Sequence, residues 1–159
     1  MDTLLQRQHE IEQFLFHEAR LLDEQRWDEW LDLFEPEGMY WAPLVRGQDD
    51  ALNHASLLWE DATLREVRVR RLGQRTAWSQ QPASLTAHLV GNVILEHDGD
   101  PLVVRSTFHV TEWNRRGQRL LAGAYTHRLR RAAVGFKIML KRVDLINCAA
   151  VHDNLEVFI

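Results

Sequence analysis

The sequence predicts an α+β fold in which N-terminal helices pack on a strongly curved, mainly antiparallel sheet to form a cone. Three observations predict it. The first thirty or so residues place apolar side chains at helical spacing. After Pro82 the period changes to two and holds through four long runs. Turn-forming residues separate those runs. Helices first and a meander afterwards is the order of an α+β domain. The 159 residues fit one domain, 1–159, long enough to bury a core.

The elements follow in order. Thr3 is placed to cap a first helix, with Gln6 as its capping-box partner. Leu4, Gln8, Ile11, Leu15, Glu18 and Leu22 set a 3.6-residue period, and Phe14 and Leu21 widen the stripe. A second helix over Trp27–Phe34 gathers Trp27, Trp30, Leu31 and Phe34 on one side, and Pro36 and Gly38 stop it. Gly38–Leu44 reads as a strand, at an edge or ending there because of Pro43. Arg46–Asp50 reads as a polar loop, Asn53–Leu72 as helix in one or two pieces, and Gly73–Pro82 as a connection containing Trp78.

Four strands are then expected: Ser84–His97, Leu102–Trp113, Leu120–Arg131 and Phe136–Leu145. Asp98-Gly99 offers a tight hairpin turn, and Arg115–Gln118 and Ala132–Gly135 join the later pairs. Runs this long require a bent sheet. Gly91 and Gly123, inside strands, are the expected bulge or bend positions. The helices should lie across the concave side.

Composition excludes several functions. A net charge of −4 with neutral histidines gives no electrostatic reason for nucleic acid or an anionic membrane as partner. The run Arg65, Arg68, Arg70, Arg71 alternates with apolar residues and reads as the solvated face of an amphipathic segment. The single cysteine, Cys148, permits no intrachain disulfide and sits in an apolar stretch, where a thiol is inert. Met1–Glu12 is polar and unlike a signal peptide, and no apolar run reaches the roughly 20 residues that span a bilayer, so the cytoplasm is the expected compartment. Six tryptophans imply a heavy core, a pocket or an interface.

A Rieske cluster needs two cysteines and two histidines, which this chain cannot supply. Its eight histidines show no i, i+4 pair and no His-x-His or His-x-Asp pattern for a facial triad. His109 and His127 could be neighbours across strands. No phosphate-binding loop or dinucleotide fingerprint is present, and Ser84 and Ser106 have no nucleophile motif around them. No catalytic, cofactor-binding or metal-ligating residue is therefore assigned. The polar residues expected inside the cone are His17, Asp32, Tyr40 and Tyr125, with Asp144. A buried carboxylate among them could act as a base.

A series of segments resembles the small (beta) subunits of aromatic-ring-hydroxylating dioxygenases. It begins with Phe14-Leu-Phe-His-Glu-Ala-Arg-Leu-Leu-Asp23, Trp30-Leu-Asp-Leu33 and Tyr40-Trp-Ala-Pro43. It continues with Arg68-Val-Arg-Arg-Leu72, Ala77-Trp78, Pro82-Ala-Ser84 and His88-Leu-Val-Gly-Asn-Val93. Gly123, Leu129-Arg-Arg131 and Asn154-Leu-Glu-Val-Phe-Ile159 complete it. The resemblance implies a cystatin/nuclear-transport-factor-2-like cone. It implies a large alpha subunit that carries a Rieske [2Fe-2S] cluster and a mononuclear non-haem iron. It also implies a trimer of small subunits within a three-alpha, three-beta complex, with no catalytic residues on the small chain.

Trp78, Ser84, His88, Asn92, Leu155 and Phe158, drawn from those segments, are the expected subunit-interface residues. The family usually has charged residues near Leu85, Ala87, Ala124 and His127, and an aspartate where Asn147 stands, so its interface salt bridges are altered here. The competing expectations are a free-standing cone-fold isomerase or dehydratase, and a hydrophobic ligand-binding protein. Against the first, Ala42 stands where steroid-isomerase-like members place a carboxylate.

Overall fold

A computed structural model describes residues 3–78, 84–147, 155 and 157–159. Helix α1 (Leu4–Asp23) begins at Thr3, whose Oγ1 accepts from the Gln6 N–H at 3.2 Å. Only half of the capping box forms, because the Gln6 side chain turns to Glu10 at 3.5 Å. Helix α2 is shorter than expected, Trp27–Leu31. Phe34 belongs to strand β1 (Phe34–Pro43), which runs through Pro36 and Gly38. The pairing of β1 with β6 (Phe136–Leu145) lapses between Phe34 and Met39, so the missing N–H of Pro36 breaks no ladder. At Gly38 a Cβ would come within 2.6 Å of the Ile138 carbonyl oxygen.

The expected helix over Asn53–Leu72 is corrected. Ser56–Glu60 is strand β2, paired antiparallel with β1 through Trp41–Trp59 and Tyr40–Glu60. Its Leu-Leu-Trp run suits a half-buried strand as well as a helix, and pairing decides the matter. Asp61 then caps α3 (Ala62–Trp78), its Oδ1 accepting from Leu64 N at 2.9 Å. That helix continues through Gly73, so the connection expected from Gly73 is helical as far as Trp78; residues 79–83 lie outside the described set.

Strands β3 (Leu85–His97), β4 (Leu102–Asn114), β5 (Gly117–Arg131) and β6 form the antiparallel meander. The sheet order is β2-β1-β6-β5-β4-β3, with β1–β6 the single parallel pair among the described residues. The β3–β4 link is a four-residue connection over 98–101 rather than a tight two-residue turn. The bulge expected at Gly91 is present: the register shifts between Gly91 and Ile94, and Asn92 takes φ +50°. Gly123 is not a bulge. The β4–β5 register runs through it without a shift, and a Cβ there would collide with the Asp144 carbonyl of β6.

Helix α1 lies across the concave face and buries Ile11, Leu15, Leu21 and Leu22 against Leu102, Val104, Phe108, Val110, Leu129 and Ile138. Val157, Phe158 and Ile159 close the same core and are all buried. Phe158 lies 4.3 Å from Trp30 and 5.8 Å from both Trp27 and Tyr40, centroid to centroid. The Tyr40 hydroxyl accepts from Ile159 N at 2.9 Å and faces the Ile159 carbonyl at 3.2 Å. Among the described residues no helix is long and apolar enough to cross a membrane.

Candidate functional site: an enclosed charged cluster and an apolar outer face

Three ionisable side chains meet inside the cone. Glu18 is on the core-facing stripe of α1, and His127 and Lys141 are paired opposite each other on β5 and β6. Glu18 Oε1 bonds His127 Nε2 at 2.9 Å, and Oε2 takes Lys141 Nζ at 3.0 Å and the Trp30 indole N–H at 3.0 Å. All three ionisable residues are at most 2% exposed. Burial works to raise the Glu18 carboxyl, but Lys141 and His127, with hydrogen bonds from His127 and Trp30, outweigh it and hold the group well below its usual range. Burial pushes the Lys141 ammonium down from its usual value, and Glu18 opposes that. Lys141 Nζ also sits 4.5 Å over the Tyr125 ring, which stacks on Phe108 at 4.1 Å.

A second carboxylate ties the end of α1 to β3. Asp23 accepts from Thr86 Oγ1 at 2.9 Å and from the His88 backbone N–H at 2.9 Å, and Oδ1 lies 2.5 Å from His88 Nδ1. Burial works against its charge, but the His88 hydrogen bonds dominate and lower the carboxyl below its usual value. Replacing Asp23 with alanine removes three hydrogen bonds to one charged group. The expected loss is about 2–4 kcal/mol in a denaturant titration, since each such bond is worth about 1.5–3 and neighbours recover part of it. A midpoint within error of the wild type would refute the clamp.

The predicted interior residues divide in two. Tyr40 and Tyr125 are buried in the cone, and burial raises both phenols above their usual value. His17 and Asp32 are exposed and therefore corrected. His17 falls on the outer face of α1, a residue short of the buried Glu18. Asp32 is the C-cap of α2 and lines an outer cleft of about 710 Å³ with Glu35, Glu37, Glu66 and Arg130. Asp144 is half-buried and paired with Arg142 at 2.8 Å. His109 is opposite Ala122 and exposed, while His127 is opposite Val104 and buried, so the two histidines are not neighbours. Arg65 is likewise not on a solvated face. It is 1% exposed, bonded to the Gly38 and Glu60 carbonyls and lying 4.0 Å from the Phe34 ring.

Of the expected interface residues, Asn92 is exposed at the bulge, and Ser84 receives Gln25 at its carbonyl and Asn114 at its hydroxyl. The His88 ring is 1% exposed against Asp23, and Phe158 is 1% exposed, so both side chains serve the chain's own core. Leu155 is half-buried against that core. Trp78 is the last residue of α3, its side chain outside the described set, as is Cys148.

The outer face of the sheet carries several exposed apolar side chains. Leu85 pairs with Trp113, Leu89 with His109, and Leu120 with Thr111; Leu85, Leu89, Trp113 and Leu120 are all exposed. Ile146 stands beside them, its N–H on the Ala122 carbonyl at 3.1 Å. Between them the floor is made of small residues, Ala87, Thr111 and Ala122. Among the described residues no group of three or more His, Cys, Asp and Glu side chains is placed to hold a metal ion.

A curved sheet packed on its own helix, enclosing one charged cluster and carrying exposed apolar side chains on its outer face, defines a cone-shaped α+β domain. Residues 17–151 match the family model described as the ring hydroxylating beta subunit. The chain is 34% identical to the benzene 1,2-dioxygenase subunit beta of Pseudomonas putida, over 97% of this chain and 89% of that one. It is 32% identical to the 2-halobenzoate 1,2-dioxygenase small subunit of Burkholderia cepacia, over 91% of each. The solved beta subunit of benzoate 1,2-dioxygenase from Burkholderia mallei superposes with a TM-score of 0.77 at 27% identity, covering 98% and 97% of the two chains. The chain belongs to the beta-subunit family of ring-hydroxylating dioxygenases.

Proposed function

We propose that this small subunit acts by assembly. It binds a large alpha subunit, which carries the Rieske [2Fe-2S] cluster and the mononuclear iron, and it associates with two further copies of itself in a cytoplasmic three-alpha, three-beta oxygenase that attacks an aromatic ring. The apolar outer sheet face carries this reading. Leu85, Leu89, Trp113 and Leu120 are left in water although the chain buries a separate apolar core of its own. A closed ring of three uses heterologous contacts, and a stable one covers more than about 1,000 Å² at each interface. This chain's part in turnover is to hold the large subunits in a fixed arrangement, so that electrons arriving at one cluster reach an iron site. The single cysteine in the sequence agrees with cluster ligands supplied by the partner. A free-standing isomerase would need an accessible base, and Glu18 and His127 are enclosed, with Ala42 apolar and buried.

The test is a double substitution, Leu89→Glu with Leu120→Glu, co-expressed with the large subunit. Both positions are exposed, so the isolated variant chain should keep the wild-type secondary structure by circular dichroism. Sedimentation should show dissociated subunits, and oxygenase activity should fall at least tenfold. An intact, fully active complex would overturn the reading.

A further inference from the structure

Three buried polar atoms beside the charged cluster have no hydrogen-bond partner among the described residues: Ser106 Oγ, Tyr125 Oη and His127 Nδ1. They occupy one patch of the concave face. Ser106 and Tyr125 are directly opposite on β4 and β5, and His127 is two residues along the same face of β5, its ring 5.5 Å from that of Tyr125. Each residue is at most 2% exposed. Buried polar atoms are almost always paired, and where protein partners are lacking the partner is an enclosed water with two to four bonds of its own.

The hydrogen-bonding roles are complementary. Glu18 can only accept, so His127 Nε2 carries the proton of that 2.9 Å bond, while Nδ1 accepts in the neutral ring and donates in the imidazolium. The Tyr125 phenol stays protonated, because burial beside Glu18 disfavours its anion, and it is a donor. Ser106 can donate or accept. A water molecule, with two donors and two acceptors, can join these three groups whichever role the His127 nitrogen takes. Phe108, opposite Gly123, stacks on Tyr125 with a 13° interplanar angle and bounds the patch on the side away from His127.

We propose that the cone holds a built hydration site, in which ordered water bridges Ser106, Tyr125 and His127 and extends the Glu18–His127 pair into a continuous hydrogen-bonded chain. A crystal structure of the assembled oxygenase that resolves ordered solvent should show water within hydrogen-bond distance of at least two of the three atoms. The same structure carrying Tyr125→Phe should lose or displace that water while keeping the Glu18–His127 bond. If that variant does not fold, the wild-type chain supplies the second measurement: long-lived water contacts to the His127 ring protons by nuclear Overhauser spectroscopy. Direct bonds from these atoms to other protein groups, a dry interior, or density for an organic guest would each overturn the proposal.

Discussion

Replacing Glu18 by alanine is expected to destabilise the chain by about 3–5 kcal/mol, the cost typical of removing one partner from a buried ion pair. The substitution strands the Lys141 ammonium and the His127 imidazole at 1% and 0% exposure and leaves the Trp30 N–H without its acceptor. It does so at the point where α1 crosses β5 and β6, so the helix loses its polar anchor to the sheet. The same carboxylate sets a pH limit. Its folded pKa lies below the unfolded value of about 4.5, so its contribution is complete above that value and is lost as pH falls toward the folded one. Asp23, also lowered, adds to the acid limb with the same sign. Glu18→Gln keeps the shape and removes the titration. Its stability should therefore be lower than wild type at neutral pH, with the two curves converging in acid. Parallel curves from pH 7 to pH 3 would show that the Glu18 charge carries no stability.

The sheet was legible from the sequence because alternation survives over ten to fifteen residues in each of β3 to β6. Helix α1 was legible for the same reason at period 3.6. Ser56–Glu60 was not. Five residues, Ser-Leu-Leu-Trp-Glu, are too few to carry a period, and the decision rests on β1, some fifteen residues away. Phe34 was misplaced because an apolar residue one turn after Trp30 fits a helix face, whereas in the fold it starts the strand that follows.

The interior polar residues were only half legible. Tyr40 and Tyr125 follow strand parity inward, whereas His17 falls on the outer face of α1 and Asp32 caps α2, so helix geometry turns both to solvent. The actual cluster did leave a signal. Glu18 sits in an otherwise apolar stripe, and His127 and Lys141 interrupt the inward rows of β5 and β6. Charged residues at core positions are rarely buried unpaired, so three of them on facing elements imply one another. The sequence does not reveal which pairs with which. That depends on the register that sets His127 opposite Lys141.

The other large effect is expected at Phe158. Its ring packs 4.3 Å from Trp30 and within 5.8 Å of Trp27 and Tyr40, and the Arg68 guanidinium lies 5.0 Å from its centroid. Truncation to alanine opens a cavity between α2 and β1, and a buried Phe→Ala change costs about 3–5 kcal/mol. Leucine at the same position refills most of the volume and should recover more than half of that loss. The tail is held at a second point, where Tyr40 bonds the Ile159 backbone. Tyr40→Phe should therefore cost about 1–2 kcal/mol, one buried bond with a backbone group left unsatisfied. The two positions touch, so the double substitution should cost less than the sum of the singles: once Phe158 is lost, the tail no longer presents Ile159 to Tyr40. Additive costs would show that Val157 and Ile159 hold the tail without Phe158. An unchanged unfolding midpoint for Phe158→Ala would mean that the segment is not part of the core.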